Sequence, residues 1–442
     1  MPPFMVAPFT LDSLREPSPT VPTGPDRGPE RGRHSVHSHR HRRRGLRRAL
    51  LLALLLLVVA AGAFVGVRLT TPDPAPAVTP VLASNVHVPT QPITLPWPTI
   101  GQAAIAVPSI GIDVASGPEQ PVAVASLTKL MTAYVVLHDH PLRLGQPGPD
   151  ITVSQADMDD YANDTVDDDS NAQVTLGEQL TEQQVLGGLM VHSADNYADL
   201  LARWDAGSIP AFVAEMNADA TRLGMLHSHF ADPSGVDPGS QSTASDLLKV
   251  AAPDMANAAL ASMVKMPSIT LPVAGTISTY TPLLGLQGII GVKSGFTTAA
   301  GGCDVLAVIR TVHGKPVLLL AAVTGQQGPV VLAQAGLHGL ALVDALAPLI
   351  GTTSAVPSGQ VAAHVRAAGR SVDARTTSSA SLLTWPGVSA TLAFQPARHV
   401  SNQARRGAAV GTVVVTLGTQ RVAVPVQLSQ DVPRPSLLQR LF

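Results

Sequence analysis

The sequence predicts a mixed α/β domain and a smaller all-β module, carried behind a single N-terminal membrane helix. Three observations predict it. Ala49 to Val67 run without a charge between Arg48 and Arg68, which is long enough to cross a bilayer as a helix. Between Gln102 and Ile350, segments of helical apolar spacing mix with strand-like runs. Beyond about residue 351 no long helical pattern remains, and short β-branched runs such as Val410–Thr416 and Arg421–Gln427 replace it. A length of 442 residues suggests more than one domain, and 45% hydrophobic residues supply a sizeable core.

Taken in order, residues 1–48 are rich in Pro, Arg, His and Ser without apolar periodicity, and read as a disordered basic tail. Ten arginines face four acidic residues there, whereas the rest of the chain is acidic. Arginine on the N-terminal side of the span at 49–68 places the tail in the cytoplasm and the remainder outside. The tail's basic run is read as a solvated cytoplasmic flank, so no nucleic acid is expected as a partner. The small residues Ala60 to Ala63 lie inside the span rather than after it, which favours a retained anchor over a cleaved signal. Residues 69–99 are Pro- and Thr-rich and read as a semi-extended linker. Gln102 to Val107 reads as a first strand, with its turn and return up to Gly117.

A helix is expected from Ser126, because Leu127, Leu130, Met131, Tyr134, Val135 and Leu137 recur at helical spacing. The acidic run from Asp157 to Asp169 lacks the order of a calcium loop and is read as solvated loop. Helical patterns follow at Thr181–Met190, Tyr197–Trp204, Ile209–Leu223 and from Thr243. Phe230–Asp237 carries turn chemistry. The apolar runs Cys303–Thr311 and Pro316–Thr324 flank His313-Gly314 and read as a buried hairpin. Val330 to Ile350 reads as a long apolar helix. Domain bounds of 100–350 for the α/β domain and 351–442 for the β-rich module follow.

The chemistry gathers in three islands. Ser126 and Lys129 sit at i and i+3 on one helix face. A serine hydroxyl needs a base within hydrogen-bond reach, and a lysine serves only if it is held neutral. Ser193-Ala-Asp195-Asn196 and Lys293-Ser294-Gly295 are the others. Only five lysines occur in the chain, and two of them belong to these islands. The single cysteine, Cys303, allows no intrachain disulfide. No cofactor and no metal are expected.

Serine and lysine islands in this order are the signature of class A β-lactamases and penicillin-binding proteins. Together with Phe230-Ala-Asp-Pro-Ser-Gly235 and Gly291-Val-Lys-Ser-Gly-Phe-Thr-Thr-Ala-Ala-Gly301, they make the chain resemble the low-molecular-mass penicillin-binding proteins. These are the serine-type D-alanyl-D-alanine carboxypeptidases of peptidase family S11, penicillin-binding protein 5-like. The resemblance covers about Gln102 to Ile350. It implies a transpeptidase-like domain with a central antiparallel sheet and a helical lobe, and a β-rich C-terminal domain. It also implies a peptidoglycan pentapeptide ending in D-Ala-D-Ala as substrate and β-lactams as ligands.

The implied roles follow residue by residue. Ser126 becomes acylated, Lys129 takes its proton, and Ser193 relays a proton to the leaving amine. Lys293 fixes the terminal carboxylate, with Thr297 as an extra hydroxyl. Ser294 replaces the usual threonine. The backbone N–H groups of Ser126 and Phe296 form the oxyanion hole, and Gly295 admits the substrate backbone. The family's middle motif is Ser-x-Asn, but here Asp195 stands third and Asn196 fourth. Either a carboxylate replaces an amide, or the loop shifts by one residue and Asn196 fills the site. Alternatives are a catalytically weak peptidoglycan-sensing protein, an endopeptidase, or a β-lactamase. For the last, Glu215 is the sole glutamate between Ser193 and Lys293.

Overall fold

The computed structural model describes residues 39–441. The tail over residues 1–38 lies outside the described residues. Two compact units divide the rest, the first holding the N-terminal helix up to Pro72 with residues from Arg440 onward, the second Asp73–Gln439.

In the first unit, helix α1 spans His39–Thr70. It starts ten residues before Ala49, so residues 39–48 are helical rather than part of a disordered tail. No proline lies between Pro29 and Pro72, and arginine and leucine are good helix formers, so nothing stops the helix at the charge boundary. Leu46–Thr70 is a candidate membrane span of 25 residues with mean hydropathy 2.9 and no buried residues.

In the second unit, α2 (Lys129–Asp139), α3 (Gln155–Asp167), α4 (Glu182–Val191), α5 (Asp195–Ala206), α6 (Ile209–Arg222), α7 (Ala244–Ala256) and α8 (Ala258–Met263) precede a long hairpin, and α9 (Val331–Leu346) follows it. The hairpin strands Gly301–Val312 and Lys315–Gln326 turn at His313-Gly314. They lie inside a five-stranded antiparallel sheet with the order Ile289–Thr297, Gly301–Val312, Lys315–Gln326, Gln102–Val107, Ile112–Ala115. Strand side chains alternate between faces, so this sheet feeds two cores. Cys303, Val305 and Ala307 face α2 and its helical neighbours, while Leu306 and Val308 face α9. The apolar α9 is long enough to span a membrane, yet it packs on the sheet and its inner residues Ala335, Leu342, Val343 and Leu346 are buried.

Two sequence expectations fail here for identifiable reasons. The acidic run is helix α3 as far as Asp167, not a loop. Ser154 and Asp157 form a reciprocal capping box at its start, and Met158 and Tyr161 pack against the core. Arg203 of α5 answers the charge, with Nη1 2.9 Å from Asp157 and 2.5 Å from Asp160.

The Pro-rich linker is also structured. Ala77–Pro80 pairs with Val361–Ala367, and Asn85–His87 pairs with Ser389–Pro396. These two strands form the outer edges of a seven-stranded sheet whose inner strands are Val361–Ala367, Arg370–Thr376, Gln420–Leu428, Ala409–Leu417 and Ser389–Pro396. Proline is tolerated on an edge strand, where a missing N–H breaks no ladder. The β-rich module is therefore assembled from two separate stretches of chain, and Leu95 and Trp97 belong to its side of the core. A pure tether could be shortened without effect on the folded domain. Removal of Ala77–His87 is instead expected to lower Tm by about 2–4 °C or more in calorimetry; an unchanged Tm would show that these edge strands carry no stability.

Candidate active site

One turn of 3-10 helix, Ala125–Thr128, leads into α2, so Ser126 sits on the turn and Lys129 is the first α-helical residue. The turn is tightly wedged. Ala125 adopts φ 51°, a left-handed conformation unusual for a side-chain-bearing residue. Two glycines make room for it. A Cβ on Gly235 would lie 1.9 Å from the Ala125 carbonyl oxygen, and one on Gly295 would lie 2.7 Å from the Ser126 nitrogen. The strand Ile289–Thr297 thus comes directly against the Ser126 backbone.

Lys129 is 0% exposed. Its Nζ donates to Ser126 Oγ at 3.0 Å, to the Ser234 carbonyl at 2.8 Å and to Asp195 Oδ1. Three acceptors match the three N–H bonds of an ammonium. A neutral amine in the same place keeps two N–H bonds for Asp195 and Ser234, and turns its lone pair toward the Ser126 hydroxyl. Both protonation states fit one geometry. The Ser234 carbonyl is aimed by the turn that contains it, in which Asp232 Oδ2 accepts from Ser234 Oγ, Gly235 N and Val236 N at 2.6, 2.7 and 3.0 Å.

Ser193 sits between α4 and α5 at φ 62° and is buried. Lys293 reaches it from the sheet edge, donating to Ser193 Oγ at 2.8 Å and to the Ser294 carbonyl at 2.7 Å. Burial pushes Lys293 down to about 7, helped by the charge of Lys129 and opposed by Asp195 and Asp304. Burial pushes the Asp195 carboxyl up, against the pull of Lys129. Behind the strand, Asp304 pairs in register with Ser294. It is fully buried, neither oxygen has a hydrogen-bond partner among the described residues, and burial raises it to about 8.

The four residues Ser126, Lys129, Ser193 and Lys293 are thus brought into two adjoining hydrogen-bonded groups, and the two candidates of the middle island are placed differently. Asp195 faces Lys129. Asn196 does not enter the site, because its amide is spent on both backbone groups of Ala172, accepting from N at 3.0 Å and donating to O at 2.9 Å. Asp195 opens α5, and successive helical residues point about 100° apart, so only one of the two can face the lysine. The Ser294 hydroxyl donates to the Tyr280 carbonyl at 2.7 Å. Thr297 Oγ1 accepts from Ala300 N at 3.1 Å, and Phe296 is exposed. Glu215 gathers with Asp139 at the end of α2 opposite Ser126, away from where a deacylating water would be needed. Cys303 is core, its thiol pushed up to about 12 by burial. Sequence reasoning missed the Ser234 carbonyl and Asp304; for the first, the Asp-Pro-Ser-Gly turn was the available signal.

The D-alanyl-D-alanine carboxypeptidase profile, peptidase S11, matches residues 111–326. A D-alanyl-D-alanine carboxypeptidase of Streptomyces sp. strain K15 is 33% identical over 210 residues, 44% of this chain and 69% of that protein. A D-alanyl-D-alanine endopeptidase of Pseudomonas aeruginosa is 31% identical over 214 residues, 46% of this chain but less than two thirds of its own length, at 64%. Penicillin-binding protein 5 from Haemophilus influenzae shares the fold at a TM-score of 0.54 and 20% identity, over 78% of this chain and all of that structure. With a third of the aligned residues identical across most of the Streptomyces protein, and all three islands inside the matched span, this chain belongs to the D-alanyl-D-alanine carboxypeptidase family, peptidase S11, a family of serine-type hydrolases.

Proposed function

We propose that this protein is a membrane-anchored carboxypeptidase that removes the terminal D-alanine from peptidoglycan stem peptides and is inhibited by β-lactams. The single observation that carries the reading is the 3.0 Å contact between Lys129 Nζ and Ser126 Oγ, made by a lysine with no solvent exposure. In this reading α1 spans the membrane with its N terminus in the cytoplasm, and Asp73–Gln439 works outside.

Ser126 Oγ attacks the carbonyl carbon of the D-Ala-D-Ala peptide bond while its proton passes to neutral Lys129. The carbonyl oxygen becomes an oxyanion, received by the backbone N–H groups of Ser126 and Phe296. The carbon–nitrogen bond then breaks, with the Ser193 hydroxyl handing its proton to the departing amine and taking up in its place the proton that Lys129 accepted from Ser126. This leaves an ester on Ser126, which water hydrolyses to free the shortened stem and restore the serine. Lys293 holds the terminal carboxylate as a compact point charge, with Thr297 close along the same strand. The arriving carboxylate favours the ammonium form that burial opposes.

Asp195 is where this chain differs from the family pattern. A carboxylate in contact with Lys129 competes with Ser126 for the lysine nitrogen and stabilises its ammonium form, which slows acylation. Cleavage of cross-links between stems is a second reading, favoured by the match to a D-alanyl-D-alanine endopeptidase. Release of D-alanine from monomeric stems, compared with splitting of cross-linked dimers, separates the two.

Two predictions test the site. A labelled penicillin is expected to add its mass at Ser126, and Ser126→Ala to lose both the adduct and D-alanine release; an unchanged adduct in that variant would end the assignment. Asp195→Asn is expected to accelerate β-lactam acylation at pH 7. Asn196→Ala should leave that rate alone and lower stability by about 2–6 kcal/mol, at about 1–3 kcal/mol for each of the two backbone groups of Ala172 left unpaired. Acylation rates and melting of both variants decide the matter, and a silent Asp195→Asn refutes the impaired-base account.

A further inference from the structure

We propose that the β-rich module docks on an anionic lipid surface through five arginines at one of its ends. The inference deepens the proposed function and rests on its membrane-anchored reading. It starts from composition. Residues 351–442 carry nine arginines and no lysine against only Asp373 and Asp431, whereas residues 100–350 hold 24 acidic residues and 9 basic ones. Such a separation of charge along one chain marks the basic part as a surface for an oppositely charged partner.

The structure gathers five of the nine at one end of the module. Arg366 and Arg370 flank the turn that joins Val361–Ala367 to Arg370–Thr376. Arg405 and Arg406 lie in the loop before Ala409–Leu417, and Arg434 follows the last strand. Ala367, Gly369, Asn402, Pro433 and Pro435, each within three residues of one of these arginines, line one shared cavity. All five arginines are exposed. Among the described residues none of the five is in an ion pair, Asp373 being taken by His364 and Arg375. Asp431 Oδ1 accepts from the backbone N–H of Arg406 at 2.8 Å, not from its guanidinium. Guanidinium groups suit phosphate headgroups, because their planar fork meets two phosphate oxygens at once.

This end is also where the chain enters the second unit. Asp73 and Pro74 line the same cavity, and the Asp73 carbonyl accepts from Asn402 Nδ2 at 2.6 Å. Thr70, the last residue of α1, stands three residues earlier, a stretch that reaches at most about 11 Å. With α1 in the bilayer, the arginines flank the point where the chain leaves it, and that continuity makes a lipid surface the partner rather than a soluble polyanion. The opposite end of the module meets the acidic domain, since a Cβ on Gly418 would lie 2.7 Å from Pro108 O and from Gly111 N. From there the strand Gln420–Leu428 runs to the arginine end, where Gly407 N donates to the Leu428 carbonyl at 2.9 Å. Its nine residues at about 3.4 Å each cover roughly 30 Å. The acidic domain thus stays beyond the field of that surface, which decays over about 8 Å at physiological ionic strength.

The test uses the full chain in lipid nanodiscs, with a fluorophore on the thiol introduced by Gln403→Cys. Cys303 is 0% exposed and stays unlabelled. Quenching by a nitroxide-headgroup lipid, which needs near-contact, is expected to be about twofold stronger or more in phosphatidylglycerol discs than in phosphatidylcholine discs. The difference should vanish in 1 M salt, where the screening length falls to about 3 Å. Arg405→Glu with Arg406→Glu should lose it, and so should the milder Arg366→Gln with Arg370→Gln on the neighbouring turn. Arg421→Glu, at the Gly418 end, should keep it. Acylation of each variant by a labelled penicillin shows that it is folded. Equal quenching in the two lipids overturns the proposal, as do folded double variants that behave like the parent. Binding of soluble polyphosphate by the parent, with no difference between lipids, would assign the arginines to a soluble polyanion instead. Recovery of the chain with the discs reads α1 separately: a chain left outside them overturns the anchored reading and this inference together.

Discussion

A lysine nitrogen with no access to water governs the layout of this domain. Moving an ammonium out of water costs several kcal/mol even after relaxation, so Lys129 is tolerable only where every donor is met. The fold meets each from a different element. Ser126 comes from the turn before α2, Asp195 from the first residue of α5, and the Ser234 carbonyl from the loop braced by Asp232. Removing any one leaves a buried donor unmatched, which is why three elements distant in sequence must converge at this point. The helical core around Leu130, Met131, Leu189 and Tyr197 holds them there.

Close approach is the second constraint, and it explains why small residues and strained backbone cluster at one place. Ala125 and Ser193 both occupy left-handed φ values, a cost of about 1–3 kcal/mol each borne next to Ser126. Gly235 and Gly295 admit neighbouring backbone where any side chain would collide. The sheet edge and the Ser126 turn can then present their backbone N–H groups side by side. The outer framework serves the same end, since the hairpin and α9 make the sheet a rigid floor behind Lys293.

Local spacing made much of this legible. The i, i+3 relation of Ser126 and Lys129, the hairpin and the apolar α9 all rest on periodicities visible in the chain. The acidic residues up to Asp167, read as loop, failed because composition outweighed the Ser154–Asp157 capping box, and because Arg203, which neutralises two of them, lies on another helix. The segment read as a tether failed for a related reason. Strand pairing is decided by partners nearly three hundred residues away, such as Val365 for Val78 and Ala390 for Val86, and nothing local announces it. Between Asp195 and Asn196 the sequence left two options, and only the position of Ala172 distinguishes them.

Asp304 shows how the second lysine differs from the first. Lys129 has a carboxylate in direct contact, so its charge is answered at once. Lys293 instead touches only a hydroxyl and a carbonyl, with Asp304 behind its strand, buried and without a hydrogen-bond partner among the described residues. Burial pulls Lys293 down to about 7 and lifts Asp304 to about 8, so close to pH 7 Lys293 is divided between its two forms and Asp304 is mostly neutral. An ammonium binding site for an anion is therefore incomplete until the anion arrives. Under the proposed reaction the terminal carboxylate supplies the missing charge, and Lys293 takes up a proton as it binds. Above pH 7 that proton must be drawn from increasingly dilute hydronium, so carboxylate binding weakens with rising pH. Recognition weakened by alkali therefore limits the activity from the high-pH side, and the limit comes from the different company that the two lysines keep.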